Sequence, residues 1–330
     1  MIDESLLPDG EDENSLEATM PAYFEMALDE TRGVLYGSDS DGDKIVVHRI
    51  SDLGQKNFFS LPTGSSPHGI ALSPDGNALA VALYGSDSII FLDPDNGNTI
   101  STIALPDSDP STWDVIYGRE GRLYSSGSPH HSWTKVHIID TNNYTLVGDA
   151  PISTYGSAYL AISSDKNTLY VNDGNNYIYK LDVSDDNIPD PSKTFASLDR
   201  KDKIVLSPND SVLFTGDGVA WDPDLKATMG SILPNDYSEE EFLTFLPGRD
   251  AVAIAVDDVY GYNDRVVFAR ASNFFVLSIY ALGDKGTIGS IAATSDGKKL
   301  IISSSKGMIS INLANNFPPG KPQPMPKGLF

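Results

Sequence analysis

Between Ser66 and Pro106 the chain reads SPHGIALSPDGNALAVALYGSDSIIFLDPDNGNTISTIALP, four short apolar runs separated by turn signals. Gly69 to Ser73 is turned by Pro74-Asp75-Gly76, and Ala78 to Leu83 by Tyr84-Gly85-Ser86-Asp87. Ser88 to Leu92 is turned by Pro94-Asp95-Asn96-Gly97, and Thr99 to Leu105 completes the unit. Runs of about five residues broken by Asp-Gly, Pro-Asp and Asn-Gly pairs predict an antiparallel meander. One meander cannot bury both of its faces, so the pattern should recur. It does.

The same order of runs and turns covers residues 20–62, 66–106, 110–152, 155–197, 198–233 and 242–286, and starts again at Thr287. The best-aligned segments are ALSPDGNALAVA, AISSDKNTLYVN, VLSPNDSVLFTG and AATSDGKKLIIS. Each pairs a small or apolar run with a Ser/Thr-x-Asp or Pro-Asn-Asp turn, whose side chains bond back to the local backbone. Seven such units at a period of ~45 residues predict an all-β fold, a seven-bladed β-propeller of four-stranded antiparallel blades. The repeat over 242–286 is the most degenerate. The last repeat lacks a fourth strand, because the chain beyond Leu313 (residues 314–330) is rich in proline and cannot pair centrally. Residues 1–19 are acidic, with Ser5-Leu6-Leu7 the one apolar island. They read either as a mobile leader or as the strand that closes the ring on the last blade, which would remove an open edge. The propeller itself is placed at residues 20–313.

Composition narrows the chemistry. The 330 residues carry 23 Lys and Arg against 46 Asp and Glu, a formal net charge of −23. Such a surface repels phosphate backbones, so nucleic acid is not an expected partner. No cysteine is present, which removes thiol catalysis, disulfides and cysteine-based zinc sites. No apolar run is long enough for a membrane span. The start, MIDESLLPDGEDEN, lacks the basic and apolar regions of a secretory signal, which fits a cytosolic chain or one already processed.

The phrases PHGIALSPDGNALAVA, IIFLDPDNGNTISTIALP and LYVNDGNNYIYKLDV resemble the repeat of the YVTN/YncE-like propellers, the family of surface-layer and lactonase-like propeller proteins. The resemblance implies a propeller outside the cytoplasm, periplasmic, secreted or on the cell surface, and a monomer is the expected state. It implies no shared catalytic set, because the motif is a structural repeat.

Alignment on the Ser-x-Asp turn places a set of residues at the mouth of the central channel, where propellers commonly bind ligands. The set is Phe24, His68, Trp113 with Asp114, Tyr159, Asp202 with Lys203, Arg249 with Asp250, and Gly289. Turns between second and third strands join that face, adding His130 and His131. His68 reads as a general base or metal ligand, or as a rim histidine bonded to a loop carbonyl. His130-His131 reads as a ligand pair or an exposed turn, and His48 and His137 as structural residues on third strands. Trp113 and Tyr159 suit stacking on a sugar or flat apolar ligand, or plugging the channel. Asp39, Asp41 and Asp43 have the spacing of half a calcium loop, so calcium or another divalent cation is the candidate cofactor; the alternative is a solvated acidic turn. No nucleophile elbow, Walker loop or dinucleotide fingerprint occurs. Two functions remain. One is a non-enzymatic binding or scaffold propeller presenting its upper face to a small molecule, glycan or protein. The other is a lactonase-like, metal-assisted hydrolase with His68 and acidic neighbours at the mouth.

Overall fold

The structure, a computed structural model, describes residues 22–106, 112–127, 133–155, 157–174, 176–195, 203–232, 240–257, 264–282 and 285–313. The first sheet holds β1 (Met26–Asp29), β2 (Val34–Asp39), β3 (Lys44–Arg49) and β4 (Gln55–Ser60). The second holds β5 (Pro67–Leu72), β6 (Leu79–Leu83), β7 (Ser88–Leu92) and β8 (Thr99–Ala104), within a residue or two of the runs read from the sequence. Next come β9 (Val115–Tyr117), β10 (Arg122–Ser125), β11 (His137–Asp140) and β12 (Thr145–Asp149), then β13 (Tyr159–Ile162), β14 (Thr168–Asn172), β15 (Tyr177–Asp182) and β16 (Ser192–Phe195). The fifth sheet is β17 (Ile204–Leu206), β18 (Leu213–Thr215), β19 (Val219–Trp221) and β20 (Thr228–Ser231). The sixth is β21 (Glu240–Phe245), β22 (Val252–Asp257), β23 (Arg265–Ala269) and β24 (Val276–Ala281); the last is β25 (Ile288–Ala293), β26 (Lys299–Ser304) and β27 (Gly307–Asn312).

Strands neighbour one another in sequence order in every sheet. These are sequential antiparallel meanders, and the fold is a seven-bladed β-propeller. Six sheets have four strands and the last has three among the described residues. The closing strand expected from residues 1–19 lies outside them, as does the tail at 314–330. No described helix is long and apolar enough to cross a membrane.

The chain divides into two compact units, Phe24–Leu206 and a second made of Ser207–Phe330 with the segment up to Tyr23. In the first, consecutive sheets share cores. Leu79, Val81 and Leu83 of β6 pack with Val34, Tyr36 and Ile45 of the first sheet. The alternate residues Ala80 and Ala82 pack with Val115, Leu123 and Ile139 of the third. Side chains alternate across a strand, so a strand buried on both faces must be apolar throughout. That is why LAVAL reads as an unbroken run. A third core joins Tyr124, Val136 and Ile138 to Leu160, Leu169 and Val171. Each Leu or Ile so buried contributes roughly 2 kcal/mol.

In the second unit, Ala253, Ala255, Val266 and Phe268 pack against Leu300, Ile302 and Ile311. The sixth sheet forms a full ladder from β21 to β24 despite its degenerate repeat, with one register shift between Phe268 and Ala269. Tyr23 is buried, and its carbonyl accepts a hydrogen bond from Ser303 at 3.4 Å.

The outer strands of the first five sheets are exposed along most of their length. Each of the first five carries one large exposed apolar residue: Phe58, Ile100, Val147, Phe195 and Met229. Phe275, directly before β24, is a sixth.

Candidate functional site: an aromatic stack beside an ion pair

The site is built where innermost strands begin. In the second sheet, the pairing of β5 with β6 is irregular between Pro67 and Ile70, so His68 and Gly69 fall in a break in the ladder. Such a break re-aims a side chain. Neighbouring sheets are tied here by hydrogen bonds. The Gly69 N–H donates to the Trp113 carbonyl at 2.9 Å, and the Ile70 N–H to Glu25 Oε2 at 3.2 Å. The Leu160 N–H donates to Asp114 Oδ2 at 2.9 Å. These bonds put Glu25, Gly69 and Asp114 at one level on adjacent blades. A side chain cannot be accommodated at Gly69: a Cβ there would lie 2.6 Å from the Asp114 Cα and 2.9 Å from the Trp113 carbonyl oxygen.

The rings form one cluster. His68 lies between Phe24 and Tyr84, with centroids 4.1 and 4.6 Å away and planes within 9° and 10° of parallel. Trp113 stands nearly perpendicular to all three, at 4.9, 4.4 and 5.6 Å. Tyr159 meets the edge of Trp113 at 6.3 Å. Phe24, Tyr84 and Trp113 are half-buried, whereas His68 and Tyr159 are buried. Offset and edge-on arrangements of this kind add to the gain from burial.

A charged group adjoins the rings. Lys203 Nζ lies 3.0 Å from Glu25 Oε1, 5.9 Å from the Phe24 centroid and 5.6 Å from that of Tyr159. Glu25 keeps 23% of its side-chain exposure and Lys203 14%. Asp114 is buried, with its carboxylate accepting the Leu160 and Val115 N–H groups. Burial pushes the Asp114 carboxyl well above its ordinary range, and the nearby Glu25 charge pushes it further. Lys203 and the two backbone donors oppose that shift.

Six of the expected mouth residues come together: Phe24, His68, Trp113, Asp114 and Tyr159, with Lys203 against them. Glu25 and Tyr84 escaped the sequence reading, although Glu25 has the same offset after Phe24 that Asp114 has after Trp113. His130, His131 and Asp202 lie outside the described residues. Gly289 sits at a second register break, in β25, against Tyr23.

Arg249 and Asp250 require a correction. They lie in the turn from β21 to β22, the opposite end of the innermost strand from the mouth position expected for them. The innermost strand of this sheet is β21, and Val252–Val256 belongs to the second, so Pro247-Gly248-Arg249-Asp250 takes the place of the Ser-x-Asp turn. Asp250 accepts the Ser272 N–H at 2.9 Å and lies 3.8 Å from Arg270.

The aspartates of the first sheet serve the turn. Asp39 accepts the Gly42 N–H at 2.8 Å and pairs with Lys44 at 3.2 Å. Asp43 accepts the N–H groups of Gly64 and Ser66 at 2.7 and 2.8 Å, and these bonds hold its carboxyl below the usual range. Asp41 is exposed. Among the described residues no three His, Cys, Asp or Glu side chains gather as a cation site. His48, on β3, bonds the Leu53 carbonyl at 2.7 Å, and His137, on β11, bonds Asp149 at 2.8 Å.

No family model and no curated protein matches the chain. Among solved structures, the chain is similar to a chain described as Kuenenia stuttgartiensis Hydrazine Synthase, with a TM-score of 0.69 and 15% identity. The match covers 92% of this chain and 99% of that one. At that identity the likeness shows the fold alone.

Proposed function

We propose that this chain is a non-enzymatic binding propeller of YVTN/YncE type, working outside the cytoplasm. Its ligand, a small molecule, glycan or protein side chain, docks on the cluster of Phe24, Tyr84 and Trp113. The observation that carries this reading is the three-ring stack with Trp113 across it, half-open to solvent and adjoining the Glu25–Lys203 pair. Ring faces beside a few directed polar groups are what ligand sites provide. A metal-assisted hydrolase finds less support. Both faces of the His68 ring are covered, and both Asp114 oxygens already accept backbone N–H groups.

The reading is tested by thermal unfolding against panels of glycans, peptides and ring-bearing small molecules. A true ligand at a hundred times its Kd adds about 2.7 kcal/mol to stability. That gain should vanish in Trp113→Ala while the unliganded variant stays folded. A ligand whose effect survives both Trp113→Ala and Phe24→Ala would move the site elsewhere. Turnover of a lactone panel that is lost on His68→Ala would replace this reading with the hydrolase.

A further inference from the structure

We infer that the cluster selects an organic monocation, an ammonium carried on a flat or methylated body. The inference rests on the binding reading above and deepens it. The site already holds an ammonium of its own. Lys203 Nζ is seated over the faces of Phe24 and Tyr159 and against Glu25. Ring faces are electron-rich and attract cations within about 6 Å of the centroid. The same rings repel an anion.

The charges point the same way. Two carboxylates, Glu25 and Asp114, face one ammonium, Lys203. With both carboxylates ionised the group carries one net negative charge, and an incoming monocation cancels it. An incoming carboxylate would meet two acids and a lysine already engaged 3.0 Å from Glu25. The chain as a whole is at −23, which draws cations toward the surface and disfavours anions. Glu25 is reachable from solvent and forms the direct contact. Asp114 is buried and acts through its field.

Binding is then linked to a proton. Burial and the Glu25 charge hold the Asp114 carboxyl well above its ordinary range. A cation arriving at Glu25 offsets that field and draws the Asp114 carboxyl back toward its ordinary range, so binding favours breaking the O–H bond with loss of its proton to buffer. The electron pair stays on the carboxylate, which the Leu160 and Val115 N–H groups already face. The charged groups facing Asp114 are Glu25, before β1, and Lys203, before β17. His68 of β5 and Tyr159 of β13 are the titratable rings packed nearby. Affinity for the cation should rise as pH rises through the elevated range of Asp114.

The test uses three ligands that share one ring and differ in charge: 2-phenylethylamine, 2-phenylethanol and phenylacetate, measured by titration calorimetry on the full chain. The amine should bind at least tenfold more tightly than the alcohol, and phenylacetate should be the weakest. Repeating the amine titration in buffers of different ionisation enthalpy should show proton release, which Asp114→Asn abolishes. Glu25→Gln, which keeps an acceptor for the Ile70 N–H, should lower amine affinity about tenfold and leave the alcohol unchanged. Lys203→Met should raise amine affinity several-fold, a gain that a merely structural lysine would not produce.

Equal binding of amine and alcohol, or preference for phenylacetate, overturns the inference while leaving a binding site in place. An amine preference that survives Glu25→Gln and ignores Lys203→Met overturns it too. Absence of heat from all three ligands at millimolar concentration overturns it as well; the wider panels then decide the binding reading separately.

Discussion

The two ends of the innermost strands are built on different rules. At the end that leads into the second strand, one device repeats. Ser73 donates to Asp75 at 2.6 Å and accepts the Ala78 N–H at 2.9 Å. Ser163 donates to Asp165 at 2.6 Å and accepts the Thr168 N–H at 2.9 Å. Thr294 does the same with Asp296 at 2.7 Å and the Lys299 N–H at 3.0 Å. At the opposite end the corresponding positions are Phe24-Glu25, His68-Gly69 and Trp113-Asp114, no two alike. The first end closes a hairpin and needs only local chemistry. The second brings different blades together, and its residues are chosen for one another.

The largest break in that contrast should come from Gly69→Val. Its Cβ would meet Asp114 backbone at 2.6 Å, and backbone cannot swing aside. Overpacking of this kind costs about 1–3 kcal/mol, read as a lower thermal midpoint together with loss of the ring cluster. Ser73→Ala should cost about 1–2 kcal/mol by stranding the buried Ala78 N–H, with ligand binding untouched.

The two ends should also differ in the sign of their pH dependence. Hydrogen bonds hold Asp75, Asp165 and Asp296 below their ordinary range. Their contribution is present above the unfolded carboxylate value of about 4 and is lost as pH falls through the lower folded values. Asp114 is shifted the other way. Above about pH 4 the unfolded chain releases a proton that the folded chain keeps, so this residue makes stability fall as pH rises. Asp114→Asn should flatten that part of the denaturation profile, and an unchanged slope would assign it to another group. The smallest effects belong to the acidic turn. Asp43→Ala should cost about 1 kcal/mol by freeing the Gly64 and Ser66 N–H groups. Asp41→Ala should stay within about 0.5 kcal/mol, with or without calcium.

This contrast also accounts for what the sequence disclosed. A turn closed by its own side chains is written in consecutive residues, so the repeats and most of the second sheet were legible. Phe24, His68 and Trp113 followed by counting back from those turns. The count failed at Pro247-Gly248-Arg249-Asp250, where the long apolar run that follows is the second strand and not the first, and it put Arg249 and Asp250 at the wrong end of a strand. Glu25 and Tyr84 were missed because their role exists only through space. Glu25 bonds Ile70 and Lys203, which lie 45 and 178 residues away along the chain.

The outer strands make the molecule sensitive to its own electrostatics as a colloid. Phe58, Ile100, Val147, Phe195 and Met229 each lie exposed on a mostly polar outer strand, and a charge of −23 keeps such strands of separate molecules apart. Near the isoelectric point of about 4.3 that repulsion disappears while the apolar residues remain. Edge-to-edge association then has no barrier except the short length of each strand. Turbidity should therefore peak around that pH and fall on either side of it, and replacing Phe58 and Phe195 with lysine should lower the peak.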